Sequence, residues 1–222
     1  MRKSIRKFVA LVADSLPVCQ PIYEFGALQV EGQQGFADLR TLFPGKEYVG
    51  ADMRPGPGVQ KVLNLHDIDL PDDTVGTVLC VDTLEHVEHP QRAVEEIHRI
   101  LRPGGMAVFS SVMFFPIHSH PWDYWRFTPE AFRSILQPFS SCFVGSAGRD
   151  RFPDTVVGIG FKACEPPMDA FLAAYEQWRK HYVHTPEHLV KNLTPPALLP
   201  FVSRLHRLAA TCTHGARRAL SM

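Results

Sequence analysis

The feature that most constrains the fold is a regular alternation of short apolar runs with helical patterns between residues 20 and 165. In the segment HPQRAVEEIHRILRPGG, apolar residues recur at the spacing of one helix face. Short apolar runs flank this segment and precede it in a series. Such alternation predicts a parallel sheet covered by helices. The predicted strands are Pro21–Gly26, Glu47–Asp52, Lys61–Leu65, Thr77–Val81 and Met106–Val112.

Two further β-like runs, SSCFVGSAG and DTVVGIGFKAC, follow a helix predicted at TPEAFRSILQP. Thr128 suits the N-cap of that helix and Pro129 its first turn. The link between the two runs, Arg149 to Pro153, is too short for a crossover helix, so they should pair as an antiparallel hairpin. We therefore predict an α/β fold with a mostly parallel seven-stranded sheet that contains one antiparallel strand.

The residue pattern changes twice along the chain and predicts three segments: an N-terminal helix (1–19), the α/β domain (20–165) and a helical C-terminal extension (166–222). The first segment contains the short apolar run FVALVA followed by Asp14, which favours an amphipathic helix over a signal peptide. After Glu165-Pro166-Pro167 come an amphipathic helix and a proline-punctuated tail. Packing on the domain is expected for this tail, with a lid or a homodimer through the C-terminal helices as alternatives.

Composition narrows the classes of function. Lys+Arg and Asp+Glu both number 23, and this neutral balance disfavours nucleic acid as the substrate. The five scattered cysteines include no CxxC pair, which is typical of reduced intracellular thiols and not of a disulfide framework or zinc site. No apolar run approaches the ~18 residues of a membrane span. We expect a cytoplasmic protein without a membrane span.

Polar residues stand at the ends of four successive predicted strands. Glu24 and Gly26 end the first, and a glycine lets the backbone turn close to a ligand. Asp52 ends the second, where a carboxylate can take both hydroxyls of a ribose. His66 and Asp67 follow the third, and VDTLEHV ends the fourth. Because ligands of open α/β sheets bind at the carboxyl ends of the strands, these positions predict a cofactor site.

The stretch DLPDDTVGTVLCVDTLEHVEHPQRAVEEIHRILRPGGMAVFSSV resembles the central part of the class I S-adenosylmethionine-dependent methyltransferases, in the subgroup with an LEH motif after the fourth strand. Leu84-Glu85-His86 and Leu101-Arg102-Pro103-Gly104-Gly105 carry most of the likeness, which extends over residues 20 to 164. The resemblance implies a Rossmann-like, doubly wound fold and S-adenosylmethionine as cofactor. It also implies the cofactor-binding residues: Glu24, Gly26, Asp82 and Thr83 at the methionine end, Asp52 at the ribose, and Met53, His66, Asp67 and Ile68 around the adenine.

The loop after the first strand departs from the family pattern. Further glycines are expected between Ala27 and Glu31, but the next one is Gly32, and Asn64 stands where an acid is expected after the third strand. A dinucleotide needs close backbone approach at its pyrophosphate, whereas S-adenosylmethionine has no phosphate. The looser loop therefore favours S-adenosylmethionine over an NAD-type oxidoreductase. That oxidoreductase and a non-catalytic binding module with the same fold are the alternatives.

The segment SSVMFFPIHSHPWDYWRFTPE is the predicted acceptor side. Its aromatic residues Trp122, Tyr124 and Trp125 either wall a pocket or cover the sheet edge. The expected acceptor is a small molecule or a sugar methylated at oxygen, which must lose a proton as the methyl group moves. His118 and then His120 are the candidate catalytic bases.

Other polar residues near this segment have alternative roles. Arg126 either holds an acidic acceptor or pairs with Asp123, while Glu85 and His86 are expected to pack or cap a helix in preference to catalysing. The HSH sequence could ligate zinc, but no cysteine or carboxylate set stands at ligand spacing, so no metal site is expected.

Overall fold

The computed structural model describes residues 1–32, 34–118, 121–149 and 152–183. The chain divides into two compact units, Met1–Arg179 and Lys180–Met222, and the second is described only for residues 180–183. Most of the predicted C-terminal tail, residues 184–222, therefore lies outside the described residues, as does the predicted base His120.

The sheet has seven strands, and the described residues form four α-helices. The strands are β1 (Ile22–Phe25), β2 (Tyr48–Asp52), β3 (Lys61–Val62), β4 (Val75–Val81), β5 (Leu101–Val112), β6 (Ser141–Arg149) and β7 (Phe152–Phe161). The helices within the described residues are α1 (Lys3–Ser15), α2 (Pro90–Ile100), α3 (Pro129–Ile135) and α4 (Asp169–Val183), with 3₁₀ turns at Leu39–Leu42 and Leu84–His86. Strand order is β3-β2-β1-β4-β5-β7-β6, and β7 runs antiparallel to both of its neighbours. The predicted α/β fold with one reversed strand is confirmed.

Two of the strand boundaries that differ from the prediction have a clear local reason. Strand β5 begins at Leu101 and not at Met106, because Leu101 already pairs with Val75 before an irregularity that spans the Pro-Gly-Gly turn. Strand β3 has two residues and does not continue to Leu65. There the side-chain oxygen of Asn64 accepts from the main-chain N–H of His66 at 3.0 Å, which turns the chain out of the strand.

Both faces of the sheet are covered, since every residue of β4 is buried. Helix α2 places Ala93, Val94, Ile97 and Ile100 in one core cluster with residues of β4, β5 and α3. Helices α1 and α4 pack on each other outside that cluster, with the ring centroids of Phe8 and Trp178 5.2 Å apart. The described residues between β1 and β2 contain the 3₁₀ turn and no α-helix.

Strand β6 forms one edge of the sheet, and α4 covers part of it. The main-chain N–H of Ser146 donates to the hydroxyl of Tyr175 at 2.9 Å, and that hydroxyl donates to the Ser146 carbonyl at 3.0 Å. The rings of Phe171 and Tyr175 also pack edge-on against Phe143 of β6. One tyrosine thus satisfies both backbone polar groups of an edge residue.

None of the helices in the described ranges combines the length and the apolar character needed to cross a bilayer.

Candidate functional site

A cavity of about 320 Å³ lies at the carboxyl ends of β1, β2 and β4. The strand order reverses between β1 and β4, which is where open α/β sheets bind their ligands. Seven of the nine predicted cofactor-binding residues line this cavity: Glu24, Gly26, Asp52, Met53, His66, Asp82 and Thr83.

The other two predicted residues, Asp67 and Ile68, are not among the described residues that line the cavity. Ile68 is buried in the core cluster, and its main-chain N–H donates to the Glu96 carboxylate at 2.9 Å. Asp67 is exposed in the turn that follows Asn64. Their predicted position beside the adenine stays a prediction.

Gly26 turns the chain at the end of β1 and approaches Thr83 closely. Its φ of +85° lies in the left-handed region, and a Cβ built on it would stand 2.2 Å from the Thr83 Oγ1 atom. That hydroxyl lies 3.2 Å from the Phe25 carbonyl oxygen and 3.0 Å from the Val81 carbonyl oxygen, to which it can donate. The glycine therefore lets the ends of β1 and β4 meet under the cavity.

Glu24 is a buried acid on the cavity wall, and the hydroxyl of Tyr48 donates to its Oε2 atom at 2.6 Å. Burial raises the pKa of Glu24 to about 7, against the smaller opposing effect of the Tyr48 hydrogen bond. The charge of this wall therefore changes near neutral pH.

Asp82, the first residue after β4, forms an ion pair with Arg2 from the N-cap of α1. The guanidinium donates from Nη2 to Oδ1 at 2.7 Å and from Nε to Oδ2 at 3.2 Å, and Ser110 Oγ donates to Oδ1 at 2.8 Å. Burial opposes ionisation of Asp82, but the charge and hydrogen bonds of Arg2 outweigh it and hold the pKa of Asp82 below its usual value. Sequence reasoning missed Arg2, which carries no motif and lies 80 positions from Asp82.

A second polar cluster surrounds Glu85, which is fully buried. Its Oε2 atom accepts from Ser111 Oγ at 2.6 Å, whereas Oε1 has no hydrogen-bond partner among the described residues. Its carbonyl accepts from the main-chain N–H of Tyr124 at 2.8 Å, which anchors the acceptor segment. Burial, followed by the charge of Asp82, raises the pKa of Glu85 to about 7.

His86 lines the cavity, as His66 does, while the predicted base His118 is not among the described residues that line it. The two imidazole rings lie edge-to-face with centroids 4.8 Å apart. Glu85, His86 and His118 each offer one ligand atom, and these atoms lie within 4.8 Å of one another. No metal site was expected from the sequence, because no carboxylate set stands at ligand spacing from His118. The cluster forms only in the fold, since His118 stands 32 positions after His86.

Arg126 pairs with Asp123, as one of the two predicted alternatives has it, with nitrogen–oxygen distances of 2.6 and 2.7 Å. Asp123 also accepts from the main-chain N–H of His118 at 2.7 Å, and its pKa is lowered chiefly by the Arg126 hydrogen bonds. Trp122 and Tyr124 line the cavity, whereas the Trp125 indole donates to the Val87 carbonyl at 2.9 Å. The aromatic segment therefore contributes both to the cavity wall and to packing.

Comparison with known proteins relates part of this chain to a family. Residues 41–109 match a family model described as a methyltransferase domain. Uncharacterized methyltransferases of Mycobacterium sp. strains KMS, JLS and MCS are 35% identical over 104 residues, a match that covers 42% of this chain and 41% of each relative. The alignment thus spans less than half the length of these relatives.

Two solved structures show the same fold. An S-adenosylmethionine-dependent methyltransferase from Archaeoglobus fulgidus is 13% identical with a TM-score of 0.57, over 73% of this chain and 95% of that one. The 1,6-didemethyltoxoflavin-N1-methyltransferase of Burkholderia thailandensis, with bound 1,6-didemethyltoxoflavin and S-adenosylhomocysteine, is 17% identical with a TM-score of 0.57, over 73% and 79% of the two chains. The family match indicates a methyltransferase domain over residues 41–109, and the solved structures show that the chain shares their fold.

Proposed function

We propose that this protein transfers a methyl group from S-adenosylmethionine to an oxygen of a small molecule or sugar, and that it belongs to the subgroup with an LEH motif. The observation that carries the proposal is the cavity at the strand ends, whose lining includes Glu24, Asp52 and Asp82. Carboxylates from three parallel strands meet there, and a cofactor with hydroxyl and ammonium groups is the ligand that such a set suits.

The cofactor would lie with its ribose at Asp52 and its adenine against Met53 and His66. Half of the Met53 surface is exposed, which offers an apolar face to a base. Glu24 would place negative charge near the ammonium group of the methionine end, beside the ion pair of Asp82 with Arg2. Binding of that cation would favour the ionised form of Glu24, whose pKa is raised to about 7 in the empty cavity.

Catalysis would depend mainly on alignment, because the sulfonium group is already activated and the acceptor must be held in line with the methyl group. Trp122 and Tyr124 would wall the acceptor end. The acceptor oxygen must lose its proton, and we propose that the histidines of this side, His118 and His120, serve that step with His86. Among the described residues His86 is the one of these that reaches the cavity.

The acceptor class rests on charge and size. The neutral balance of the chain favours a small acceptor over nucleic acid. A cytoplasmic location stays a prediction. A homodimer through the C-terminal helices also stays a prediction, since the described part of that segment ends at Val183.

Isothermal titration calorimetry of the full chain with S-adenosylhomocysteine tests the proposal. We expect micromolar affinity and a higher melting temperature with ligand. Binding of NADH in place of S-adenosylhomocysteine would favour an oxidoreductase. If neither ligand binds at millimolar concentration, the methyltransferase function is contradicted and a non-catalytic binding module is favoured.

Two matched variants test the site itself. Asp52→Ala should weaken S-adenosylhomocysteine binding by about 1.5–3 kcal/mol, the range for hydrogen bonds to a charged group. Asp69→Ala is the control because that carboxylate is exposed and is not among the described residues that line the cavity. Equal loss in both variants, or no loss with Asp52→Ala, would contradict the position given to the ribose.

A further inference from the structure

Glu85, His86 and His118 form a cluster of metal-ligating side chains beside the cofactor cavity. One ligand atom from each lies within 4.8 Å of the others. Zinc binds imidazole nitrogen and carboxylate oxygen at about 2.0–2.2 Å, so ligand atoms around a tetrahedral ion are about 3.4 Å apart. The cluster is therefore wider than a closed site, and side-chain shifts of about 1 Å would close it.

The surroundings of the two rings favour the tautomer that a metal ligand needs. Nδ1 of His86 lies at hydrogen-bond distance from the Trp122 carbonyl. Nδ1 of His118 lies 3.2 Å from the Pro116 carbonyl and 3.3 Å from the Asp123 carboxylate. Oxygen acceptors at Nδ1 hold the proton there and leave the lone pair on Nε2 in the neutral ring. A ligating histidine is held in the same way, by an oxygen at its other nitrogen.

Glu85 provides the independent observation. Its side chain is fully buried, and Oε1 has no hydrogen-bond partner among the described residues. A buried carboxylate oxygen without a partner is costly, because burial removes the water that would otherwise solvate it. Arg126 acts on Glu85 through its charge, but its hydrogen bonds go to Asp123 and to main-chain carbonyls, so it gives Oε1 no donor. A cation between Glu85 and the histidines would supply the missing partner.

We propose that Glu85, His86 and His118 bind a divalent first-row transition metal ion such as Zn²⁺ against the wall of the cavity. Two imidazoles and one carboxylate suit this class of ion, whereas Mg²⁺ and Ca²⁺ prefer oxygen ligands throughout. Three protein ligands leave a coordination position for a further group, as in catalytic zinc sites. Because His86 lines the cavity together with Trp122 and Tyr124, that position is accessible from the acceptor end.

The role of the ion rests on the proposed function, although its binding does not. An acceptor hydroxyl bound to the cation has a lowered pKa and releases its proton to solvent. The resulting oxygen attacks the methyl carbon, the carbon–sulfur bond breaks with its electron pair on sulfur, and S-adenosylhomocysteine leaves. With the ion bound, His86 and His118 act as its ligands, and this role replaces the base role proposed for them above.

Titration of the untagged full chain with Co²⁺ tests the site, followed by its visible absorption and by calorimetry with Zn²⁺ in parallel. We expect one ion per chain, with the visible d–d absorption of Co²⁺ in a site of low coordination number. His118→Ala should weaken binding by more than about 100-fold, since even residues that only orient a ligand contribute about 10- to 100-fold. His98→Ala is the matched control, because His98 packs against Phe139 outside the cluster.

Glu85→Gln provides a second variant. Binding of S-adenosylhomocysteine to each variant shows, independently of metal binding, whether the fold and the cofactor site are intact. If Glu85→Gln does not fold, the comparison of His118→Ala with His98→Ala decides alone. Absence of Co²⁺ and Zn²⁺ binding to the parent protein, or unchanged affinity in His118→Ala, would overturn the metal site. If the parent protein binds metal but not S-adenosylhomocysteine, the metal site stands and the methyltransferase function is contradicted.

Discussion

Replacing Gly26 by alanine tests the close approach of β1 and β4 under the cavity. Two costs are expected. An L-residue at φ +85° is strained by about 1–2 kcal/mol. The new Cβ would also meet Thr83 Oγ1 at 2.2 Å and Cγ2 at 3.0 Å, and relieving such overpacking costs about 1–3 kcal/mol. The free energy of unfolding should therefore fall by about 2–5 kcal/mol.

Gly32→Ala is the matched control in the same loop. Its φ is +79°, but nothing lies within 4 Å of the added Cβ. The backbone strain and the lower entropy of the unfolded chain are shared by the two variants, so their difference isolates the contact with Thr83. We expect Gly32→Ala to lose only about 1–2 kcal/mol.

Urea denaturation measures both variants, and calorimetry measures their affinity for S-adenosylhomocysteine. Gly26→Ala should also weaken the ligand, because Thr83 lines the cavity and must move. Adding Thr83→Ala removes the two nearest clashing atoms and should restore part of the lost stability. Equal destabilisation in Gly26→Ala and Gly32→Ala, or no recovery in the double variant, would refute this reasoning.

Two more predictions concern the buried charges. The fold raises the pKa of Glu24 from 4.5 to about 7, so the protonated side chain stabilises the fold at low pH and this contribution is lost as the pH rises from 4.5 to 7. Glu24→Gln should therefore flatten the decline of the unfolding free energy between acid and neutral pH. Parallel curves for the parent protein and the variant would argue against the raised pKa. Arg2→Met leaves Asp82 buried without its cation and should cost stability near the low end of about 3–5 kcal/mol in urea denaturation at neutral pH. Asp82→Asn added to Arg2→Met should recover most of that loss, and failure to do so would mean that Arg2 acts through packing.

The sheet was predictable because local patterns determine it. The antiparallel pairing of β6 and β7 followed from the short link between them, and the face of α2 followed from its spacing. The 3₁₀ turn between β1 and β2 was not predicted, because individual long-range contacts hold that segment and no periodic pattern marks it. One example is Arg6, which donates to the Asp38 carbonyl at 2.7 Å.

The candidate site was predictable where strand ends provide its residues, and less so where distant segments meet. Strand ends placed Asp52 and Asp82 on one edge of the sheet without knowledge of side-chain contacts. Tyr48, by contrast, was not singled out, although it is the hydrogen-bond partner of Glu24. The proximity of His86 to His118 depends on how the acceptor segment folds back, and no periodic pattern records that.

The hydroxyl of Tyr175 on Ser146 has a consequence for handling the protein at high concentration. Strand β6 has nine residues and a free side, and an uncovered strand of this length is a template on which a second chain can add its own strand. Expressing residues 20–165 alone would remove the tyrosine and uncover those amides and carbonyls. Such a fragment should therefore self-associate as its concentration rises, which light scattering would detect. Helix α4 would then be needed to prevent association of copies of the domain through β6.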